Sequence, residues 1–588
     1  MRAGARSTSA SPRSSTSSDG ASSSSGGSSS SGDTGDGSGA PSCWWARHEH
    51  AVEGADEDRP FLSKDSGLGL GSLAGLAGWF ASLEQHFGRR LLVLLFVVQH
   101  VLKGAANTLA WRATAYLFKS YHLPAQDAQV VGATVGLPWV LKPIVGLVSD
   151  LCPIRGYHKT PYMLMACVVG TGACLAVALL PQEALPVPAL VACLFLVQNQ
   201  VTTTDLLTEA IYAKKVQESP SRGPDLLAYV FGGVQAGSVL AACACGLTLQ
   251  YWGARATFLL AAALASTAIA PLARGYAGEA RQSAEATAEA RQRFWRQREA
   301  CVLAVVMLLG AVSICACGLA TRSPGTNAAV ATAVAAVVLV AFSVLLSPVI
   351  AKFAAFSLLQ TSLSLSIRGP AFYFMTDTAE EFPDGPHFSK VFYNTVLGSL
   401  GSACSIVGLY TYNRFLKHVR YRSILVAVNA LLCLLHLSDV VLYARLNLRL
   451  GIPDHFFVLG CSLLLPVVGE WQWMPQVALW SHLCPPGMEA TMFALVVGCH
   501  NLGLSVSSSL GSVLIQALGC NPRGAPGEGA EFQRLWLASA CSSALPLAAV
   551  LLALRLVPDA RPDEALGELD PVDATSGSLW KRWTAAAT

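Results

Sequence analysis

The chain has 588 residues, of which 53% are hydrophobic and 13% charged, and its formal net charge is only +3. A water-soluble globular protein carries about 25% charged residues, so most of this chain belongs in lipid, and no basic cluster interleaved with aromatics points to nucleic acid. The seventeen cysteines include no C-x-x-C and lie singly in apolar runs or as C-x-C pairs. On a helix such a pair points its thiols roughly 200° apart, so they read as small hydrophobes and no metal or cofactor is expected.

Residues 1–88 read as a Ser/Gly-rich N-terminal tail that cannot bury enough surface to fold. Arg2, Arg6 and Arg13 ahead of the first acid, Asp19, suit an organellar transit peptide or a plain cytosolic tail. Apolar runs near the ~20 residues of a helical span follow at about 91–118, 128–150, 161–180, 187–213, 226–251 and 254–272. They predict an N-terminal six-helix bundle over 89–273. A charged segment, 274–299, with Arg281, Glu285, Glu289, Arg291, Arg293, Arg296 and Arg298, reads as a cytosolic linker helix.

Two extra membrane helices are expected within 300–350, with Ser347-Pro348 a junction that could join one of them to the next as a broken element. A C-terminal six-helix bundle follows over 351–557, then a cytosolic tail over 558–588. Alternate loops hold Arg155 and Lys159, Lys214, Lys215 and Arg222, the linker, then Arg414, Lys417, Arg420 and Arg422. That basic set should face the cytosol, as should both termini. The expected fold class is therefore all-α and polytopic, with two six-helix bundles and two helices between them.

Two six-helix halves joined by a basic linker is the plan of the major facilitator transporters, in which each half is a pair of three-helix repeats. In that plan the first helix of each repeat lines a central cavity, and the polar residues follow it. They are Lys103 and Asn107 in the first span, Asp205 and Glu209 in the fourth, Arg368 in the first helix of the second half and Glu470 in its fourth. A charge at membrane depth costs at least ~2.5 kcal/mol, so it is kept for a cavity, a partner charge or a cargo. At 100° per residue His100, Lys103, Asn107 and Trp111 form one stripe. Asp205 and Glu209 share a face, which suits one of them to carry a proton. Pairing of Lys103 or Lys142 with Asp205 would equally hold the first half together. Gly132/Gly136 and Gly233/Gly237 have the spacing that lets helices approach closely.

Residues 139–162 read W-V-L-K-P-I-V-G-L-V-S-D-L-C-P-I-R-G-Y-H-K-T-P-Y. Gly146, Asp150, Arg155 and Lys159 there resemble the facilitator signature between helices two and three, which implies a gate locked at the cytosolic helix ends, with Arg414 its counterpart. Pro153 and Gly156 fix a tight turn.

With D-L-L-T-E at 205–209, F-Y-F-M-T-D at 372–377, P-H-F-S-K at 386–390, L-Y-T-Y-N-R-F at 409–415, L-G-I-P-D-H-F-F-V-L-G at 450–460 and C-P-P-G-M-E-A-T-M-F-A-L at 484–495, the chain resembles the folate-biopterin transporter family. The likeness runs from about residue 91 to 557, and its second-half blocks are most similar to the pteridine transporters of protists. The resemblance implies uptake of folate, biopterin or a related small solute by proton-coupled symport, in a monomer within the lipid bilayer. It implies motif roles for Lys142, Pro143, Asp150, Pro153, Gly156, Pro161, Asp205, Glu209, Arg414 and Glu489. Span one, with Lys103 and Arg112, departs most from the family pattern.

A pterin needs aromatic platforms, an acid for its ring edge and, for folate, a cation for its tail. Trp111, Trp139, Phe372, Trp471 and Trp473 are candidates for the first, Asp205 or Glu209 for the second, and Lys103, Lys142 or Arg368 for the third. His100, His436 and His500 are either proton relays or hydrogen-bonded packing residues. A carrier of S-adenosylmethionine, or a receptor that kept the fold, stays open. A membrane enzyme would need a set such as H-x-x-x-x-D or D-x-D, which is not evident. The membrane is either the plasma membrane or that of an organelle such as a plastid.

Overall fold

The computed structural model describes residues 73–219, 222–283, 298–321, 323–483, 489–561 and 575–587, with Glu285, Ala288 and Gln292. Most of the linker and the first 72 residues lie outside the described residues, so the expectations for them are not met by any observation here. All described residues belong to the unit Ser42–Thr588.

Fourteen helices are long and apolar enough to cross a bilayer. Spans 1 to 6 are Arg89–Ser120, Ala125–Leu151, Thr160–Leu179, Val187–Val216, Gly223–Tyr251 and Gly253–Ala273. Spans 7 and 8 are Arg298–Ala320 and Pro324–Leu345. Spans 9 to 14 are Pro348–Thr376, Phe392–Leu416, Tyr421–Tyr443, Asp454–Trp480, Thr491–Leu518 and Glu528–Leu556. A helix satisfies its own backbone groups, which lipid cannot do, and this is why each apolar run resolves into one. Ser347, extended at ψ 146°, separates spans 8 and 9 into two helices, which settles the junction left open by the sequence. The halves meet through span 2 on span 13 and span 5 on span 10, and spans 7 and 8 form a hairpin against spans 2 and 13.

Two of these helices are irregular. Span 1 is wound as a π-helix over Phe96–Ala106, with the wider i→i+5 turn that is frequent at functional sites. Span 9 breaks between Leu363 and Arg368. Pro370 has no N–H, and its ring would clash with the carbonyl four residues back, that of Ser366. The freed groups find partners on other helices. The Ser366 carbonyl accepts from Gln129 Nε2 at 2.8 Å, its N–H donates to the Ser507 carbonyl at 3.2 Å, and the Ser364 and Leu365 carbonyls accept from the Ser507 and Ser542 hydroxyls.

Both tails are shorter than expected. Leu73–Phe87 is a helix whose Trp79, Leu83 and Phe87, spaced by four, pack with Leu91, Tyr212 and Tyr229; apolar spacing within a Gly-rich run overrides composition. Leu579–Ala587 is also helical and lies against span 8.

The two glycine pairs diverge. A Cβ on Gly237 would stand 2.3 Å from the His100 carbonyl oxygen, and one on Gly233 would overlap the His100 ring, so span 5 rides directly on the π-wound part of span 1. Gly132 and Gly136 make no such approach, the nearest atom to a Gly132 Cβ being 4.0 Å away; the close contact expected of that pair is absent. Gly237→Ala should therefore cost ~1–3 kcal/mol by overpacking and lower the melting temperature of the detergent-purified protein, while Gly132→Ala leaves it unchanged. Equal melting of the two variants would contradict this packing.

Candidate functional site

Asp205, in the polar run Q-N-Q-V-T-T-T-D of span 4, is 2% exposed, and both its oxygens are taken by lysines. Lys103 Nζ lies 2.7 Å from Oδ1 and Lys142 Nζ 2.7 Å from Oδ2. Gln99 Nε2 donates to the same Oδ1 at 3.2 Å and to Thr208 Oγ1 at 2.8 Å. Lys142 also sits over the Trp139 ring, 4.7 Å from its centre, a cation–π contact. Trp139 Nε1 donates to Gln198 Oε1, and Gln198 Nε2 to Asn107 Oδ1, at 3.1 and 2.9 Å. Glu209, half-buried one turn on, interacts electrostatically with Lys142 and Asp205. Two cations thus face two acids across spans 1, 2 and 4, and this cluster belongs to the first half. Asn501 Nδ2 of span 13 reaches it through the Trp139 carbonyl at 3.1 Å.

The stripe expected along span 1 does not survive the π-turns. His100 turns to Tyr229 of span 5, ring centres 4.6 Å apart, Lys103 and Asn107 turn to span 4, and Trp111 is 47% exposed. In the second half Arg368 is exposed at the start of the second segment of span 9. Glu470 lies on span 12 against Gly408 and Ser405 of span 10. No hydrogen bond or ion pair among the described residues joins either to the Asp205 cluster, so the expected meeting of charges from both halves is not seen here. Trp471 donates to Thr411 Oγ1 at 2.9 Å, Trp473 packs on Trp480 and His500, and His500 Nδ1 lies 3.0 Å from Thr361 Oγ1. His436 lies beside Asp439 on its own helix.

The expected gate residues also stay apart. Gly146 touches Leu206 of span 4. Asp150 and Lys159 interact electrostatically with each other and with Glu279. Glu279 accepts from the backbone N–H groups of His158, Lys159 and Thr160 at 2.5, 3.0 and 2.9 Å, capping the start of span 3 where a carboxylate is favoured. Arg155 and Gly156, at φ 55° and 85°, make the two-residue turn between Ile154 and Tyr157, so both left-handed residues set it, rather than Pro153. Arg414 is exposed over the Phe415 ring. Glu489 begins the helix of span 13.

The opposite, acidic end is where polar contacts between the halves gather. Lys119 of span 1 pairs with Asp377 and Glu381, after span 9, at 2.7 and 2.8 Å. Tyr373 Oη donates to the Leu123 carbonyl, Asn394 Nδ2 to Tyr116 Oη, and Ala125 N–H to the Pro522 carbonyl, at 2.8, 2.7 and 2.9 Å. Gln129 Nε2 donates to the Ser508 carbonyl at 2.8 Å. Phe372 is buried there, edge-on to Tyr116 at 4.9 Å. That end is shut.

Below it, a cavity of about 460 Å³ opens between spans 1 and 5 of one half and spans 10 to 12 of the other, with Arg112, Gln235, Tyr393, Ser402, Ser405 and Asp439 in its wall. None of the residues expected to bind cargo lines it. Gln99, Gln198, Gln129 and Asn394, which organise the cluster and the seam, were also missed. Their signal was present: uncharged amides inside apolar runs, which need partners in lipid as charges do.

Among solved structures the fold is similar to that of the POT family transporter PepTSo, with TM-score 0.55 and 12% identity over 82% of this chain and 99% of that one. A probable folate-biopterin transporter 2 of Arabidopsis thaliana is 24% identical over 84% of this chain and 89% of its own length. A folate-biopterin transporter of Synechocystis is 28% identical over 66% of this chain and 68% of its own. The BT1 family model matches residues 103–570, which carry the buried cluster, the acidic-end seam and the cavity, and on that match the chain belongs to the BT1 family.

Proposed function

We propose that this protein is a secondary transporter of folate, biopterin or a related pteridine, working by alternating access and driven by protons in symport. The family membership and the names of the relatives support the cargo class. The observation that carries the mechanism is the Lys103–Asp205–Lys142 arrangement, two ammonium groups on one buried carboxylate.

Removing charges from water costs several kcal/mol per ion, and the pairing recovers that only while every partner stays in place. A proton arriving at Glu209 or Asp205 removes one negative charge from a balanced set of two cations and two acids. One lysine is then left without its partner and can meet an anionic cargo instead. The basic end is cytosolic on this reading, and the closed acidic end makes the state seen here the one that opens to the cytosol. Cargo release and proton release together restore the pairing before the halves rock back.

Asp205→Asn should abolish folate and biopterin uptake, since losing one partner of a buried charge pair costs ~3–5 kcal/mol, while the variant still inserts in the membrane. Uptake of both solutes at the wild-type rate by this variant would refute the assignment.

The acidic end adds a pH dependence. Burial pushes the Asp377 carboxyl up to about 6, more than its Lys119 partner pulls it down. Opening that end to water returns the group towards ~3.9, so the closed form binds the proton more tightly. Protonation therefore favours closure below about pH 6, and the closed form loses that contribution as pH rises through it. Spin labels at His122 and Asp384 should report more of the open form at about pH 7 than at about pH 5, and Asp377→Asn should flatten the change. A wild-type distance distribution that ignores pH in this window would count against it.

A further inference from the structure

Arg112 is treated differently from the lysines around it. Lys103 and Lys142 are held by Asp205, and Lys119 by Asp377 and Glu381. Among the described residues, no carboxylate lies within ion-pair distance of Arg112 and no hydrogen bond leaves its guanidinium. A cation at membrane depth is kept only with a partner charge, a watery cavity or a cargo, and Arg112 has the cavity.

The guanidinium is held in a definite place. It lies on Gly398 of span 10, so close that a Cβ there would stand 2.7 Å from Nη1 and 2.9 Å from Cζ. Any larger residue at 398 would push it out of the seam between the halves. The cavity it enters, about 460 Å³, falls within the ~300–1,000 Å³ of small-molecule sites. Around the guanidinium the wall offers hydroxyls from Tyr393 and Ser402 and apolar surface from Phe457 and Leu465. Asp439, which lines the same cavity beside His436, can accept from an N–H donor. A planar cation, an apolar slot and one acceptor suit an aryl amide that ends in carboxylates. Arginine's fork matches a carboxylate with two parallel hydrogen bonds.

Resting on the reading of the protein as a pteridine carrier, we propose that this cavity holds the carboxylate-bearing tail of the cargo, with Arg112 as its anion anchor. Arg112 lies nine residues beyond Lys103, roughly 13 Å further along the helix axis. Tail and ring therefore have separate places, and the anchor discriminates folates from pterins that lack a tail.

The test is uptake of labelled folate and labelled biopterin into proteoliposomes holding wild type, Arg112→Gln, Arg112→Lys or Gly398→Ala. Arg112→Gln and Gly398→Ala should raise the folate KM about tenfold or more, as loss of a charged hydrogen bond does, and keep the biopterin KM within about twofold of wild type. Arg112→Lys should restore part of the folate loss. An unchanged folate KM, or an equal change for both solutes, overturns the proposal. Wild type inert to both pteridines would sink the cargo reading instead, and the site is then read alone with N-(4-aminobenzoyl)glutamate. That fragment should raise the melting temperature of wild type and not of Arg112→Gln; no rise in wild type overturns the anchor.

Discussion

Hydrocarbon offers no partner to a polar group, and this governs the arrangement of the whole chain. Asp205 illustrates the cost. Its carboxylate is withdrawn from water with two ammonium groups at 2.7 Å, and such an assembly gains little over well-packed apolar residues. It is therefore poor material for stability. It does fix three helices at one depth, because spans 1, 2 and 4 cannot slide without exposing a charge, and Gln99 and Thr208 complete the remaining hydrogen bonds. A bundle pinned in this way moves as a body, which a rocking half requires.

The same constraint acts on the backbone. Span 9 could not break in lipid unless its freed groups were met, and they are met by Gln129 from the first half and Ser507 and Ser542 from the second. The break therefore sits where the halves touch. Gly369 and Gly511 allow this, since a Cβ on either would stand 2.3 or 2.0 Å from a backbone oxygen of the facing segment. Separation of the acidic end has to undo the Gln129 contacts with Ser366, so the local conformation of span 9 and the position of the halves are linked.

How much of this was legible follows from what each signal encodes. Length and apolarity fixed all fourteen spans, because crossing lipid demands both. Charge in an apolar run pointed to Lys103, Lys142 and Asp205, and their pairing was one of the two readings the sequence allowed. The stripe through His100 and Trp111 assumed a regular helix, and π-winding leaves no mark that a 100° period can detect. The break in span 9 was readable in S-L-S-L-S-I-R-G-P, where Gly369-Pro370 follows alternating serines, but its apolar flanks read as one run. Gly-x-x-x-Gly spacing identified the close approach at 233/237 and failed at 132/136, since spacing shows that an approach is allowed and not what stands opposite. Arg112 drew notice only as a departure from the family pattern; its cavity exists through contacts between distant segments.

The two ends of the polar system differ in how they can come apart. The acidic seam is a spread of separate hydrogen bonds, each worth about 1 kcal/mol net because water replaces what is lost, together with a half-exposed lysine pair. Opening it exchanges partners one by one. The Asp205 cluster cannot be dissolved stepwise, since removing any one charge strands another in a buried site. A proton or an anion has to substitute for the partner before a lysine leaves. The chemistry that admits cargo is thus confined to the cluster, the seam follows it, and a carrier built this way does not leak when its seam opens with the cluster still neutral.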